Sequence, residues 1–70
     1  MSNDTEFLRM TFQRGGDQRY KLDEIAAMLG FSPSPGPPGG ALCYANPYHE
    51  VEIDFRFVPP RVRARELPQP

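Results

Sequence analysis

The chain has 70 residues, a formal charge of −1, one cysteine and one histidine. That length allows a single domain, and a chain so short buries only about 60 % of its unfolded surface. The near-zero charge supplies no field toward nucleic acid or an anionic membrane, and no apolar run approaches the ~20 residues that span a bilayer.

Scaffolds of this size usually need a staple, which is a set of disulfides, a metal or a partner. Cys43 alone makes no internal disulfide, and His49 alone argues against a metal site, so a partner is the remaining staple. Nine prolines and six glycines lie well above average usage, so part of the chain is expected outside a packed core. The first six residues are polar and acidic, unlike a signal peptide. With one unpaired cysteine, they favour a cytoplasmic protein.

In chain order, residues 5–14 carry two patterns. Leu8, Met10 and Phe12 alternate with Arg9, Thr11 and Gln13, as in a half-buried strand. Asn3 and Glu6 have capping-box spacing, and Gly15 suits a helix stop. Phenylalanine and threonine favour the strand, because such side chains pack on a pleated surface. Arg14, Gly15, Gly16 and Asp17 then form a turn.

Residues 22–29 predict a helix. Leu22, Ile25, Ala26 and Leu29 make one apolar stripe, and Asp23 and Glu24 complement the dipole in the first turn. Gly30 is placed for a left-handed stop, with Phe31 folding back on the last turn. Two to three turns are marginal alone, so the helix must lean on a sheet.

Residues 32–40 read as a proline- and glycine-rich loop. Pro35 and Pro38 nominally form a PxxP ligand, but no arginine or lysine flanks them and the segment reads as a spacer. Residues 41–58 predict a hairpin that turns at Asn46, Pro47 and Tyr48. Its return strand puts Val51, Ile53, Phe55 and Phe57 on one face and Glu50, Glu52, Asp54 and Arg56 on the other. Pro59 and Pro60 end regular pairing, and residues 59–70 read as an extended C-terminal arm outside a domain of residues 1–58.

Residues 22–32, from Leu22 through Gly30, Phe31 and Ser32, resemble the first helix and turn of the AraC-type helix-turn-helix of transcription regulators. In that family an apolar-stripe helix leads through a Gly-Phe-Ser turn into a basic, aromatic recognition helix. The resemblance covers eleven of the 70 residues. Beyond Ser34 the chain departs from the pattern, because prolines and glycines occupy the place of the recognition helix. The resemblance implies a DNA-binding regulator as the alternative function.

Catalytic signals are few. Glu50, Glu52 and Asp54 stripe one strand face, which is how surface strands ordinarily carry charge; metal binding or acid–base work would need convergence in a pocket. Cys43 as a nucleophile would need His49 across the hairpin, whereas a free cysteine is usually buried. No catalytic, cofactor or metal site is expected, and the chain reads as a non-enzyme.

The expected fold is α+β, a sheet of two or three antiparallel strands with one short helix across it. Its expected core is Leu8, Met10, Phe12, Leu22, Ile25, Leu29, Phe31, Leu42, Val51, Ile53, Phe55 and Phe57. The expected function is a small non-catalytic interaction module, an accessory subunit or inhibitor of a larger protein, or a homo-oligomer. Arg61, Arg63 and Arg65 share one side of the extended arm, and Val62, Ala64 and Leu67 add apolar grip, of which Val62 and Leu67 are taken as partner-binding. Together with Phe57 these are the expected partner-binding residues, and a protein surface suits three arginines better than nucleic acid does.

Overall fold

The computed structural model describes residues 4–15, 19–36 and 41–69. Helices α1 (Asp4–Arg14) and α2 (Arg19–Met28) precede four strands, β1 (Ser32–Ser34), β2 (Leu42–Ala45), β3 (His49–Asp54) and β4 (Arg61–Glu66). The strands form one antiparallel sheet in the order β1-β2-β3-β4. Leu8 and Phe12 of α1 and Leu22 and Ala26 of α2 share a core with Tyr44, Val51, Ile53 and Val62 of the sheet. The protein is therefore α+β, and the described residues hold two helices where one was expected and four strands where two or three were.

The segment read as a strand, residues 5–14, lies in α1. Leu8 and Phe12 satisfy both a period of two and the i, i+4 spacing of a helix, so only Met10 distinguishes the readings. Met10 is 45 % exposed and leaves the expected core, while Leu8 and Phe12 are buried. Asp4 and Glu6 in the first turn and Arg14 in the last suit the helix dipole. Gly15 is buried, and a Cβ there would lie 2.5 Å from Ile25 Cδ1, so its small size lets α2 come close. Asn3, read as part of a capping box, and Gly16 and Asp17 of the turn lie outside the described residues.

Helix α2 begins at Arg19, three residues before the apolar stripe. Gly30 has φ +80°, its amide donates to the Ala27 carbonyl at 3.2 Å, and the Phe31 amide donates to the Ala26 carbonyl at 2.8 Å. These are the paired closing bonds of a Schellman stop, and they turn Phe31 into the core. The chain then enters β1, whose Pro33 stands opposite Tyr44 on a sheet edge, where a missing amide donor is tolerated. The loop reading of residues 32–40 therefore loses its first three residues to β1, and residues 37–40 lie outside the description.

The hairpin of β2 and β3 turns where expected. Asn46 Oδ1 accepts the amides of Tyr48 at 2.8 Å and His49 at 2.7 Å, an Asx turn that replaces the lost ladder bonds. Strand β3 ends at Asp54, earlier than expected, because Asp54 Oδ1 captures the Arg56 amide at 2.9 Å and turns the chain. Phe55 still packs against the core, but Phe57 is 41 % exposed and is not part of it.

The largest departure is at the C-terminal end. Residues expected in an extended C-terminal arm form β4, paired with β3 from Asp54↔Arg61 to His49↔Glu66. Val62 pairs with Ile53 and Ala64 with Val51, which places β4 on the same core as the rest of the sheet. Gln13 Nε2 of α1 donates to the Pro60 carbonyl at 2.8 Å and fastens the helix over the start of this strand.

Phe12 occupies the centre of the core. Its ring meets Phe31 edge-on at 5.9 Å and stacks beside Tyr44 at 5.8 Å, while the Tyr44 hydroxyl donates to Asp23 of α2. Truncating a buried phenylalanine costs about 3–5 kcal/mol, comparable with the whole stability of a core this small. Phe12→Ala is therefore expected to abolish the cooperative thermal transition by circular dichroism, with Phe12→Leu retaining it at lower temperature. A cooperative transition in Phe12→Ala near the wild-type temperature would contradict this packing.

Candidate interaction surface

Alternation along β3 and β4 sends Val51, Ile53, Val62 and Ala64 to the helix side, with His49 and Glu66 at the end of the ladder, and the remaining charged side chains to the opposite face. On that outer face the register sets Glu50 against Arg65, Glu52 against Arg63 and Asp54 against Arg61. Opposite charges directly across a ladder favour pairing, which is why an arginine-rich segment joins this sheet. Only one of these cross-strand ion pairs closes, Arg65 Nε to Glu50 Oε1 at 2.8 Å.

Asp54 is held instead by Arg56, through Nη2 to Oδ2 at 2.7 Å and Nε to Oδ1 at 3.0 Å. Arg61 is thereby released and lies over the Phe57 ring, 4.1 Å from its centroid, in a cation–π contact. Arg63 faces Glu52 without an ion pair among the described residues. Arg61 and Arg63 are thus the exposed cations of this strand least committed to carboxylates.

The backbone of β4 adds a second feature. The Leu67 amide donates to the Tyr48 carbonyl at 2.8 Å, continuing the β3–β4 register by one hydrogen-bonded pair. Bonded and non-bonded pairs alternate in an antiparallel ladder, so Arg61, Arg63 and Arg65 direct their backbone groups to β3. Val62, Ala64 and Glu66 direct theirs outward. Among the described residues nothing hydrogen-bonds to these outward groups, and the stretch contains no proline. The opposite edge is different, because Pro33 interrupts β1.

Of the expected partner-binding residues, Arg61, Arg63 and Arg65 share the outer face, and Phe57 joins them through Arg61. Val62 is 5 % exposed, so its side chain belongs to the core and only its backbone groups face the outer edge of β4. Leu67 is half-buried and anchored through its amide at the end of the ladder. Arg9 was not anticipated. It lies on α1 beside β4 and lines an open groove of about 600 Å³ with Glu50, Glu52, Val62, Arg63, Ala64 and Arg65. Reading residues 5–14 as a strand concealed it.

The two reactive side chains stay apart. Cys43 stands opposite Glu52 on the outer face, whereas His49 has the parity of Val51 and Ile53, so they sit on opposite sides of the sheet. Burial raises the Cys43 pKa, and the Glu50 carboxylate raises it further. Among the described residues His49 Nε2 is buried without a hydrogen-bond partner, beside an open cleft that also reaches Asp4 and Glu66. Among the described residues no group of three or more histidine, cysteine, aspartate or glutamate side chains could hold a metal ion. No helix among them is long and apolar enough to cross a membrane. Compared with known proteins, the chain matches no family model, no curated protein and no solved structure.

The Arg56 side chain, followed by its backbone amide, holds the Asp54 carboxyl at about 2, below its ordinary 3.8. A depressed carboxyl contributes stability that is complete above the ordinary value and is lost as pH falls through the folded one. Arg56→Ala is expected to return the Asp54 titration, followed by carbon-detected NMR, toward 3.8. An unchanged midpoint in that variant would show that Arg56 is not the cause.

Proposed function

We propose that this chain is a small, non-catalytic interaction module that docks on a larger protein as an accessory subunit or inhibitor. The observation that carries this reading is the β4 edge. It combines backbone groups left unpaired among the described residues with exposed Arg61 and Arg63 and the partly exposed Phe57 on one strip. An exposed strand edge is a template for another chain, and arginine with an aromatic neighbour is a frequent anchor at protein interfaces. The small core adds a motive, because docking stabilises the folded state by mass action.

Deleting residues 61–70 would remove β4 and take Val62 from the core, so the surface is better tested by substitution. Arg61→Gln with Arg63→Gln removes the two cations without placing like charges opposite Glu52 or Asp54. Affinity purification from the native cell with mass spectrometry is expected to recover a partner with the wild-type chain. At least tenfold less should be recovered with the double variant, circular dichroism showing both folded. Equal recovery by both chains would remove this surface from the function.

A further inference from the structure

The partner's chemistry can be read one step further, on the basis of the docking surface just described. Three kinds of strand could meet the open edge of β4: a second β4, the β1 edge of another copy, or a segment of a different protein. A second β4 is disfavoured by charge. Every antiparallel register that preserves the faces and overlaps within residues 61–65 sets arginine opposite arginine, because positions 61, 63 and 65 are all arginine. The β1 edge is disfavoured by Pro33, which cannot donate, and by its lack of any charged side chain.

The protein already displays a complement that suits β4. Strand β3 presents Glu50, Glu52 and Asp54 to the arginines and Val51 and Ile53 to the core side. That complement sits on one flank of β4, and the other flank is open among the described residues. We infer that β4 accepts an extended acidic segment of a partner protein as a fifth antiparallel strand, its carboxylates alternating opposite Arg61, Arg63 and Arg65.

Ladder geometry makes this inference specific. The incoming strand would exchange backbone hydrogen bonds with Val62, Ala64 and Glu66, the residues whose groups point outward. Its residues opposite the arginines would then occupy non-hydrogen-bonded pairs, where side chains approach most closely. Carboxylates belong at those positions. The intervening residues share the face of Val62 and Ala64, which line the groove together with Arg9, and apolar side chains suit them. The expected ligand pattern is therefore acid and apolar in strict alternation.

The test uses the full chain and a capped heptapeptide alternating glutamate with valine and threonine. Titration followed by ¹H–¹⁵N NMR is expected to shift the amides of Val62, Ala64 and Glu66 most. An isomer with its glutamates clustered should bind at least tenfold more weakly, and a version with lysine for glutamate should not bind. Backbone methylation of the peptide separates strand addition from simple charge attraction without altering the protein. N-methyl groups on the apolar residues should abolish binding, and N-methyl groups on the glutamates should leave it nearly unchanged. Ala64→Pro, which removes an outward amide and leaves the bonds to β3, should act like the first of these.

Equal binding by the two methylated peptides, shifts centred away from β4, or no binding by the alternating peptide would each overturn the inference. If the peptide fails but Arg61→Gln with Arg63→Gln still releases the cellular partner, the docking surface stands and strand addition falls. If the peptide adds to β4 but the cellular partner ignores both arginines, strand addition stands and the docking role falls.

Discussion

The register of β3 on β4 is the constraint on which the rest of this fold depends. It performs two tasks through the alternation of a single ladder. On the helix side it joins Ile53 to Val62 and Val51 to Ala64, and on the outer side it sets three acids opposite three arginines. A slip of one residue would bury arginines and expose valines, so the two faces reinforce the same alignment. Strand β4 also floors α1, whose Leu8 and Phe12 reach the core it completes. Without that floor the helix has only a short amphipathic face, and a helix of eleven residues is marginal in isolation.

The charges on the outer face are arranged unevenly, and the unevenness gives the surface its character. Exposed ion pairs contribute little to stability, about 0–1 kcal/mol each, so their value here lies in alignment more than in strength. Arg56 takes Asp54, which frees Arg61 to cover Phe57, and Arg63 is left without an ion pair among the described residues. The strand that closes the sheet thus also presents unspent positive charge along an edge that no other described residue pairs with. At the other edge Pro33 blunts β1, and the ring of Phe12 ties β1's neighbours to α1 through Phe31 and Tyr44.

Much of this was legible in the sequence where local pattern and tertiary structure agree. The stripe of Leu22, Ile25, Ala26 and Leu29, the left-handed stop at Gly30 and the return of Phe31 all follow from local chemistry. So does the alternation of Val51 and Ile53. Residues 5–14 were misread because Leu8 and Phe12 fit two periods, and the helical one is decided by what they pack on. Strand β4 was misread for a related reason. Alternating arginines look like a solvated arm until the acids of β3 are known to lie across from them. Arg9 became visible only once α1 was known to be a helix beside β4. The edge that carries the proposed function depends on which amides point outward, and that property belongs to the register.

Amide hydrogen exchange along β4 is the most direct test of this account, because protection there reports both register and openness. Arg61, Arg63, Arg65 and Leu67, bonded to β3, should exchange slowly, while Val62, Ala64 and Glu66 should exchange quickly in the free protein. Fast exchange at every one of these positions would mean that residues 61–67 are an arm after all. Slow exchange at every position would mean that the edge is already covered, and either result would contradict the account.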